Sequence, residues 1–213
     1  MPSVAVIDYG MGNLHSIAKA LQYADPQHIV TVSADPAEIL AADRVVFPGV
    51  GAIPDCMLAL HASGLAEVIV QLAASKPLLG ICLGMQALLS DSEEGGNIAC
   101  LDLFKGHVRR FADNLQDDEG QRLKIPHMGW NQINWHPHPL WNAIPQHSRF
   151  YFVHSYYAVP DDLALSAASC DYPHPFTCAL AKDNVFAVQF HPEKSQAAGL
   201  QLLKNFLHWD GQV

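Results

Sequence analysis

Cys82, His191 and Glu193 are the residues whose types and surroundings could carry nucleophilic chemistry. Cys82 lies in Gly80-Ile81-Cys82-Leu83-Gly84, where an apolar run gives way to a helical pattern. The G-x-nucleophile-x-G form is that of a nucleophile elbow. A sharp strand-to-helix turn crowds the neighbours of its central residue, and a residue without Cβ leaves room on each side. The turn lifts the sulfur above a sheet edge and sets it at a helix N-terminus, whose positive dipole end favours thiolate. The Leu83 N–H then faces an oxyanion formed beside the sulfur. A free cysteine more often packs as a small apolar residue; the flanking glycines favour the nucleophile.

A thiol nucleophile needs a base. His191 ends the apolar run 185–190 and can take a proton near neutral pH. Glu193 lies two residues on. If Pro192 keeps the chain extended, both side chains leave the same side, and the carboxylate can fix the imidazole tautomer and stabilise imidazolium. His-Pro also occurs at His136, His138 and His174 among the twelve histidines. Those three follow no apolar strand and read as surface turn residues.

The elements that must position these groups alternate along the first half. Apolar runs at 4–7, 28–32, 44–47 and 78–81 predict strands. Between them, Leu14, Ile17, Ala18 and Leu21 fall at helical spacing, and 36–41 reads as a short helix with Asp35 as N-cap and Pro36 at its first position. Helices are also expected near 54–61, 65–74 and 84–90. Such alternation implies an open α/β fold, a mostly parallel sheet with helices on both faces. Strands at 108–111, 132–135, 151–159, 177–181 and 185–190, separated by turn-rich segments, imply an antiparallel elaboration. A helix over 196–209 closes the chain. No linker or repeat divides it, so residues 1–213 read as one domain. Catalytic groups of such sheets gather at the carboxyl ends of strands, which puts Cys82 and His191 on one rim.

Half of the 213 residues are apolar and 15% are charged, a folded composition. The net charge is −9 and the twelve Lys and Arg are scattered, which argues against nucleic acid or an anionic membrane as partner. The five cysteines are odd in number and lack CxxC spacing, so neither a disulfide framework nor a zinc site is expected, and no metal or cofactor is called for. With no basic leader and no long apolar stretch, the expected location is cytoplasmic.

The segments Gly-Ile-Cys-Leu-Gly-Met-Gln at 80–86 and Gln-Phe-His-Pro-Glu-Lys-Ser at 189–195 closely resemble those of the class I (triad) glutamine amidotransferases. Further segments, 8–13, 47–51, 126–131 and 151–156, resemble the members that serve histidine biosynthesis. The resemblance covers essentially the whole chain. It implies a flavodoxin-like fold, L-glutamine as substrate and a glutamyl thioester on Cys82, with His191 as acid and base and Glu193 as its holder. The oxyanion pocket would be backbone, from Leu83 and from Gly49, Val50 and Gly51; in this family the second donor follows a peptide rotation, so the resting enzyme is nearly silent. Gln86 and Glu94 would contact glutamine, with Glu93 a neighbouring competitor, and His154, Ser155 and Tyr156 would line its far side. Asn13, Met128, Trp130 and Lys194 would face a (β/α)8-barrel cyclase that receives the ammonia. A glutaminase of another synthase, or a cysteine hydrolase of related fold such as a peptidase, shares the elbow and stays open at this point.

Overall fold

The computed structural model describes residues 1–116 and 119–212. Its first half alternates as the apolar spacing predicts: β1 (Ser3–Ile7), α1 (Leu14–Ala24), β2 (Ile29–Ser33), α2 (Pro36–Ala41), β3 (Arg44–Gly49), α3 (Ile53–Ser63), α4 (Leu65–Ala73), β4 (Leu78–Cys82) and α5 (Leu83–Gln86). The second half is mainly strands: β5 (Asp91–Ser92), β6 (Ile98–Ala99), β7 (Gly106–Arg110), β8 (His127–Trp135), β9 (Arg149–His154), β10 (Tyr156–Pro160), β11 (Ser166–Asp171), β12 (Pro175–Lys182) and β13 (Val185–Val188), closed by α6 (Gln196–His208).

The central sheet runs β2-β1-β3-β4-β13, all parallel, and continues antiparallel through β12 and β10. Strand side chains alternate between faces, and the two cores divide accordingly. Val4, Val6, Val46, Leu79, Ile81, Phe186 and Val188 pack with Ile17 and Leu21 of α1 and Leu203 and Phe206 of α6. Ala5, Ile7, Val45, Phe47, Leu78 and Ala187 face the other way, onto Ile39, Leu60, Ile69 and Leu72 of α2, α3 and α4. Helices therefore cover both faces, and each such buried aliphatic chain stabilises by about 1.5–3 kcal/mol.

Asp35 caps α2 as its sequence predicts, its carboxylate accepting from the Ala37 N–H at 2.8 Å. Three local expectations fail for identifiable reasons. The helix after Cys82 stops at Gln86 instead of Ser90, because the carbonyls of Ala87, Leu88 and Leu89 accept from the N–H groups of Leu101, Asp102, Leu103 and Phe104. The single strand at 151–159 divides at Ser155: β9 pairs with β8, while β10 pairs with β7 and β12. His138 is not a surface turn residue. Its ring lies 4.6 Å from that of Phe186 and 5.3 Å from that of Trp209, and its Nδ1 accepts from the Leu140 N–H. Two residues of the acidic segment 113–121, Asp117 and Asp118, lie outside the described residues. Among the described residues no single helix is long and apolar enough to cross a membrane.

Candidate active site

β3, β4 and β13 end side by side. Gly49 pairs with Cys82 across β3 and β4, and Val188 pairs with Ile81 across β13 and β4. Cys82 is the last residue of β4 and takes φ 55°, ψ −110°, the left-handed side of backbone space that a β-carbon strains. Such strain persists only where its surroundings over-determine it, and Gly84 shows how: a β-carbon there would overlap the Phe47 carbonyl oxygen of β3. The elbow read from Gly80 to Gly84 is therefore a close approach of the first turn of α5 to β3. α5 has only four residues, so what it offers Cys82 is the local N–H groups of a single turn.

His191 is buried and its Nδ1 lies 2.9 Å from Glu193 Oε1. The side chains are 3% and 1% exposed, so the carboxylate acts on the ring in a poorly screened setting. The backbone that holds them departs from expectation. Pro192 does not extend the chain; residues Pro192–Lys194 form a 3₁₀ turn, which brings Glu193 back toward the ring. Gly199 of α6 lets the helix pack against that turn, since a β-carbon there would overlap the Pro192 carbonyl. Ser195 fixes His191 further: its hydroxyl donates to the His191 carbonyl at 2.6 Å and accepts from the Tyr151 N–H at 2.9 Å, while the His191 N–H donates to the Tyr151 carbonyl. Spacing alone gave no sign of this brace, although Ser195 closes the quoted motif.

Burial depresses the His191 imidazolium, but hydrogen bonding and charge from Cys82 and Glu193 outweigh it and push it up to about 10. Its Nε2 is buried and makes no hydrogen bond among the described residues. The Cys82 sulfur is nonetheless close enough for its charge to hold the ring protonated. A cationic imidazole on the Cys82 side and an anionic carboxylate on the other is the electrostatic order a thiolate nucleophile requires.

Cys82 and His191 open into a cavity of about 300 Å³ lined by Val50, Gly51, Leu83, Gln86, Glu94, Pro126, Val153, His154, Ser155 and Tyr156. Nearly all the substrate residues expected from sequence thus meet at one place; Gly49 stands behind it, opposite Cys82. Gln86 is buried, not an exposed helix residue; its amide donates to the Tyr156 carbonyl at 3.1 Å. Glu94, rather than Glu93, reaches the cavity. Its carboxylate accepts from the Ile53 N–H at the start of α3, where Ala52 offers no side-chain cap, while Glu93 turns away to the Arg110 N–H and Arg109. A larger open depression, about 730 Å³, lies over Trp135 to Pro145, away from the triad and without a nucleophile.

His154 lines the cavity while its ring is committed to fixed partners. Nδ1 faces the Tyr156 carbonyl at 2.8 Å and must carry the proton; Nε2 therefore accepts from His127 Nδ1 at 2.9 Å. Burial pushes His154 down to about 3 and His127 down to about 4, so both rings are neutral. No group of three or more His, Cys, Asp or Glu among the described residues is placed to hold a metal ion.

The four residues expected on a partner surface also lie near this rim. Met128 and Trp130, two apart on β8, are 62% and 42% exposed. The Trp130 ring meets that of Tyr151 edge-on at 6.0 Å, and Lys194 Nζ lies 6.0 Å from the Tyr151 ring centre. Asn13 opens α1, which contacts the Pro192–Lys194 turn.

Known proteins are similar to this chain over nearly all of its length. The family model described as glutamine amidotransferase class-I matches residues 5–209. The imidazole glycerol phosphate synthase subunit HisH of Methylococcus capsulatus is 63% identical over 212 residues, covering 99% of this chain and 98% of that one. The subunit of the same name from Nitrosococcus oceani is 58% identical, covering 99% of each. Among solved structures, a glutamine amidotransferase aligns with TM-score 0.70 at 15% identity over 96% of this chain and 97% of that one. PurLQS from Thermotoga maritima aligns at 0.69 with 16% identity, over 97% and 98%. At those identities the structural likeness speaks for the fold alone.

Proposed function

The chain belongs to the class-I glutamine amidotransferase family, and from that premise we propose that, as a single domain over residues 1–213, it is the glutaminase subunit of an imidazole glycerol phosphate synthase. The observation that carries the chemistry is the buried His191, set between the Glu193 carboxylate and the Cys82 sulfur at the rim of one cavity. Full-length identity to the two bacterial HisH subunits supports the choice among amidotransferases.

L-Glutamine occupies the cavity with its carboxamide over Cys82. Gln86 and Glu94 contact it, and the backbone of His154, Ser155 and Tyr156 lines its far side. The Cys82 thiolate attacks the amide carbon. The oxyanion is received by the Leu83 N–H and by a second N–H from Gly49, Val50 or Gly51. His191 passes its proton to the amide nitrogen, ammonia departs and a glutamyl thioester remains. Neutral His191 then takes a proton from the attacking water. The tetrahedral adduct expels the thiolate, giving glutamate and the starting ion pair. Glu193 holds the ring throughout.

The partner is a (β/α)8-barrel cyclase that takes up the ammonia to form imidazole glycerol phosphate and the aminoimidazole carboxamide ribotide. The exposed Met128 and Trp130, with Asn13 and Lys194, form the docking surface beside the rim, and the pair works in the cytoplasm. The test is glutamate release by wild type and Cys82→Ala, each with and without the cyclase. Turnover should require the complex and vanish in Cys82→Ala. Absence of glutamine turnover in the wild-type complex would refute the reading, and equal turnover by the isolated chain would remove the dependence on the partner.

A further inference from the structure

Gln189 is fully buried one residue beyond the end of β13, and no step above uses it. The register that pairs Val188 with Ile81 carries it alongside Cys82, and its N–H is fixed to the Cys178 carbonyl at 2.9 Å. Its side-chain Nε2 lies 3.8 Å from the Cys82 sulfur, within reach of an N–H···S hydrogen bond. We propose that Gln189 donates this hydrogen bond to stabilise the Cys82 thiolate, and that Gln86 holds it in that orientation.

The orientation follows from a chain of donors and acceptors with one fixed end. The Tyr156 carbonyl can only accept, so Gln86 must present its NH₂ group there, at 3.1 Å. That NH₂ also donates to Gln189 Oε1 at 2.9 Å. With its oxygen committed, Gln189 can only turn its own NH₂ toward the sulfur. Flipping Gln189 would set two NH₂ groups against each other. An N–H donor favours the charged thiolate over the thiol, and burial strengthens the preference.

The other groups around the sulfur leave this task open. Tyr9, two residues beyond β1, has its hydroxyl 3.6 Å from the Cys56 sulfur, and burial raises its phenol far above the usual range, so it stays neutral. His191 supplies the cation; Glu193 acts on that ring, the neutral His154 stands near it, and Glu94 lies elsewhere on the cavity wall. α5 offers only the N–H groups of a single turn. A buried amide at this position would otherwise incur a desolvation cost that leucine, of similar volume, would avoid.

The proposal rests on Cys82 being the glutaminase nucleophile, but its test needs no glutamine. The second-order rate of Cys82 alkylation by iodoacetamide is followed against pH in the full chain by peptide mass mapping, which separates Cys82 from Cys56, Cys100, Cys170 and Cys178. Gln189→Leu removes the donor, and Gln189→Glu replaces it with an acceptor of the same shape. At neutral pH the rate should fall about tenfold in the first and further in the second, with the midpoint moving to higher pH in that order. A merely structural residue would lower the unfolding temperature and leave the midpoint in place, and that result overturns the proposal. Should both variants fail to fold, the side-chain amide resonance of Gln189 in wild type decides: it should titrate with Cys82 and lose that titration in Cys82→Ser, and a flat resonance overturns it. Normal thiolate behaviour without glutamine turnover would instead refute the glutaminase reading alone.

Discussion

Glu193 holds His191 through a 2.9 Å contact between Oε1 and Nδ1, made possible by the 3₁₀ turn Pro192–Lys194, with both side chains almost entirely withdrawn from water. Only one carboxylate oxygen is used; Oε2 is buried with no hydrogen-bond partner among the described residues. A carboxylate kept in that condition acts by its charge on the imidazolium. Glu193→Gln keeps the shape and deletes the charge. kcat for glutamine hydrolysis in the cyclase complex should fall on the order of 10²–10⁴-fold, with KM for glutamine little changed. An unchanged kcat would show that the carboxylate merely packs.

The elbow makes a comparative prediction. A β-carbon on Gly84 would overlap the Phe47 carbonyl oxygen, which is backbone and cannot yield, whereas one on Gly80 would meet the Ala187 and Leu88 side chains at 3.1 Å. Gly84→Ala should therefore cost about 1–3 kcal/mol of stability or more and displace Cys82, while Gly80→Ala should cost less. Urea unfolding and glutaminase turnover of the two variants, measured side by side, test the order; equal effects would mean that the close approach to β3 does not set the elbow.

The contrast between what the chain announces and what it conceals follows from the range of the interactions. β1, β3, β4 and β13 are short apolar runs bounded by glycine, proline or charge, so local pattern was enough to place Cys82 and His191 at strand ends. Asp35 was legible for the same reason, since a cap is a matter of neighbours two residues apart. The early end of α5 was not, because it is decided by the N–H groups of residues 101–104. Nor was the break at Ser155, where an unbroken strand pattern changes partners. Gln86 could have been an exposed first-turn residue by periodicity; its buried partners, Tyr156 and Gln189, stand seventy and more residues away. Ser195 and Gln189 were missed because their partners, Tyr151 and Cys82, are distant in sequence.

Trp130 offers a test of the docking surface. Its ring is 42% exposed and rests edge-on against Tyr151, beside Lys194. Exposed aromatics that sit on rigid neighbours are typical anchors of interfaces. Trp130→Ala should raise the Kd for the cyclase by roughly 30-fold, a hot-spot effect of about 2 kcal/mol. The unfolding midpoint of the isolated chain should move little. Calorimetric titration showing an unaltered Kd would assign Trp130 to the free surface.

The paired rings of His127 and His154 predict how stability depends on pH. His154 gives its Nδ1 proton to the Tyr156 carbonyl, and its Nε2 accepts from His127 Nδ1; His127 Nε2 in turn lies 3.3 Å from Asn131 Nδ2. Neither ring can gain a proton without setting two donors face to face. Burial accordingly holds His127 near 4 and His154 near 3 in the folded chain, below the ordinary value of about 6.5. Between those limits the unfolded chain binds more protons than the folded one. The stabilisation is complete above pH 6.5 and is lost as pH falls toward about 4, by a few kcal/mol per ring. His138, held near 4 by burial, adds to the same trend. His191, raised to about 10, contributes with the opposite sign above about pH 6.5. Urea midpoints at pH 6.0, 5.5, 5.0 and 4.5, where that contribution is nearly complete, should therefore decline steeply in wild type. The decline should be shallower in His127→Gln, which removes one of the three titrating rings. Parallel declines in the two proteins would show that His127 is free to protonate in the folded state.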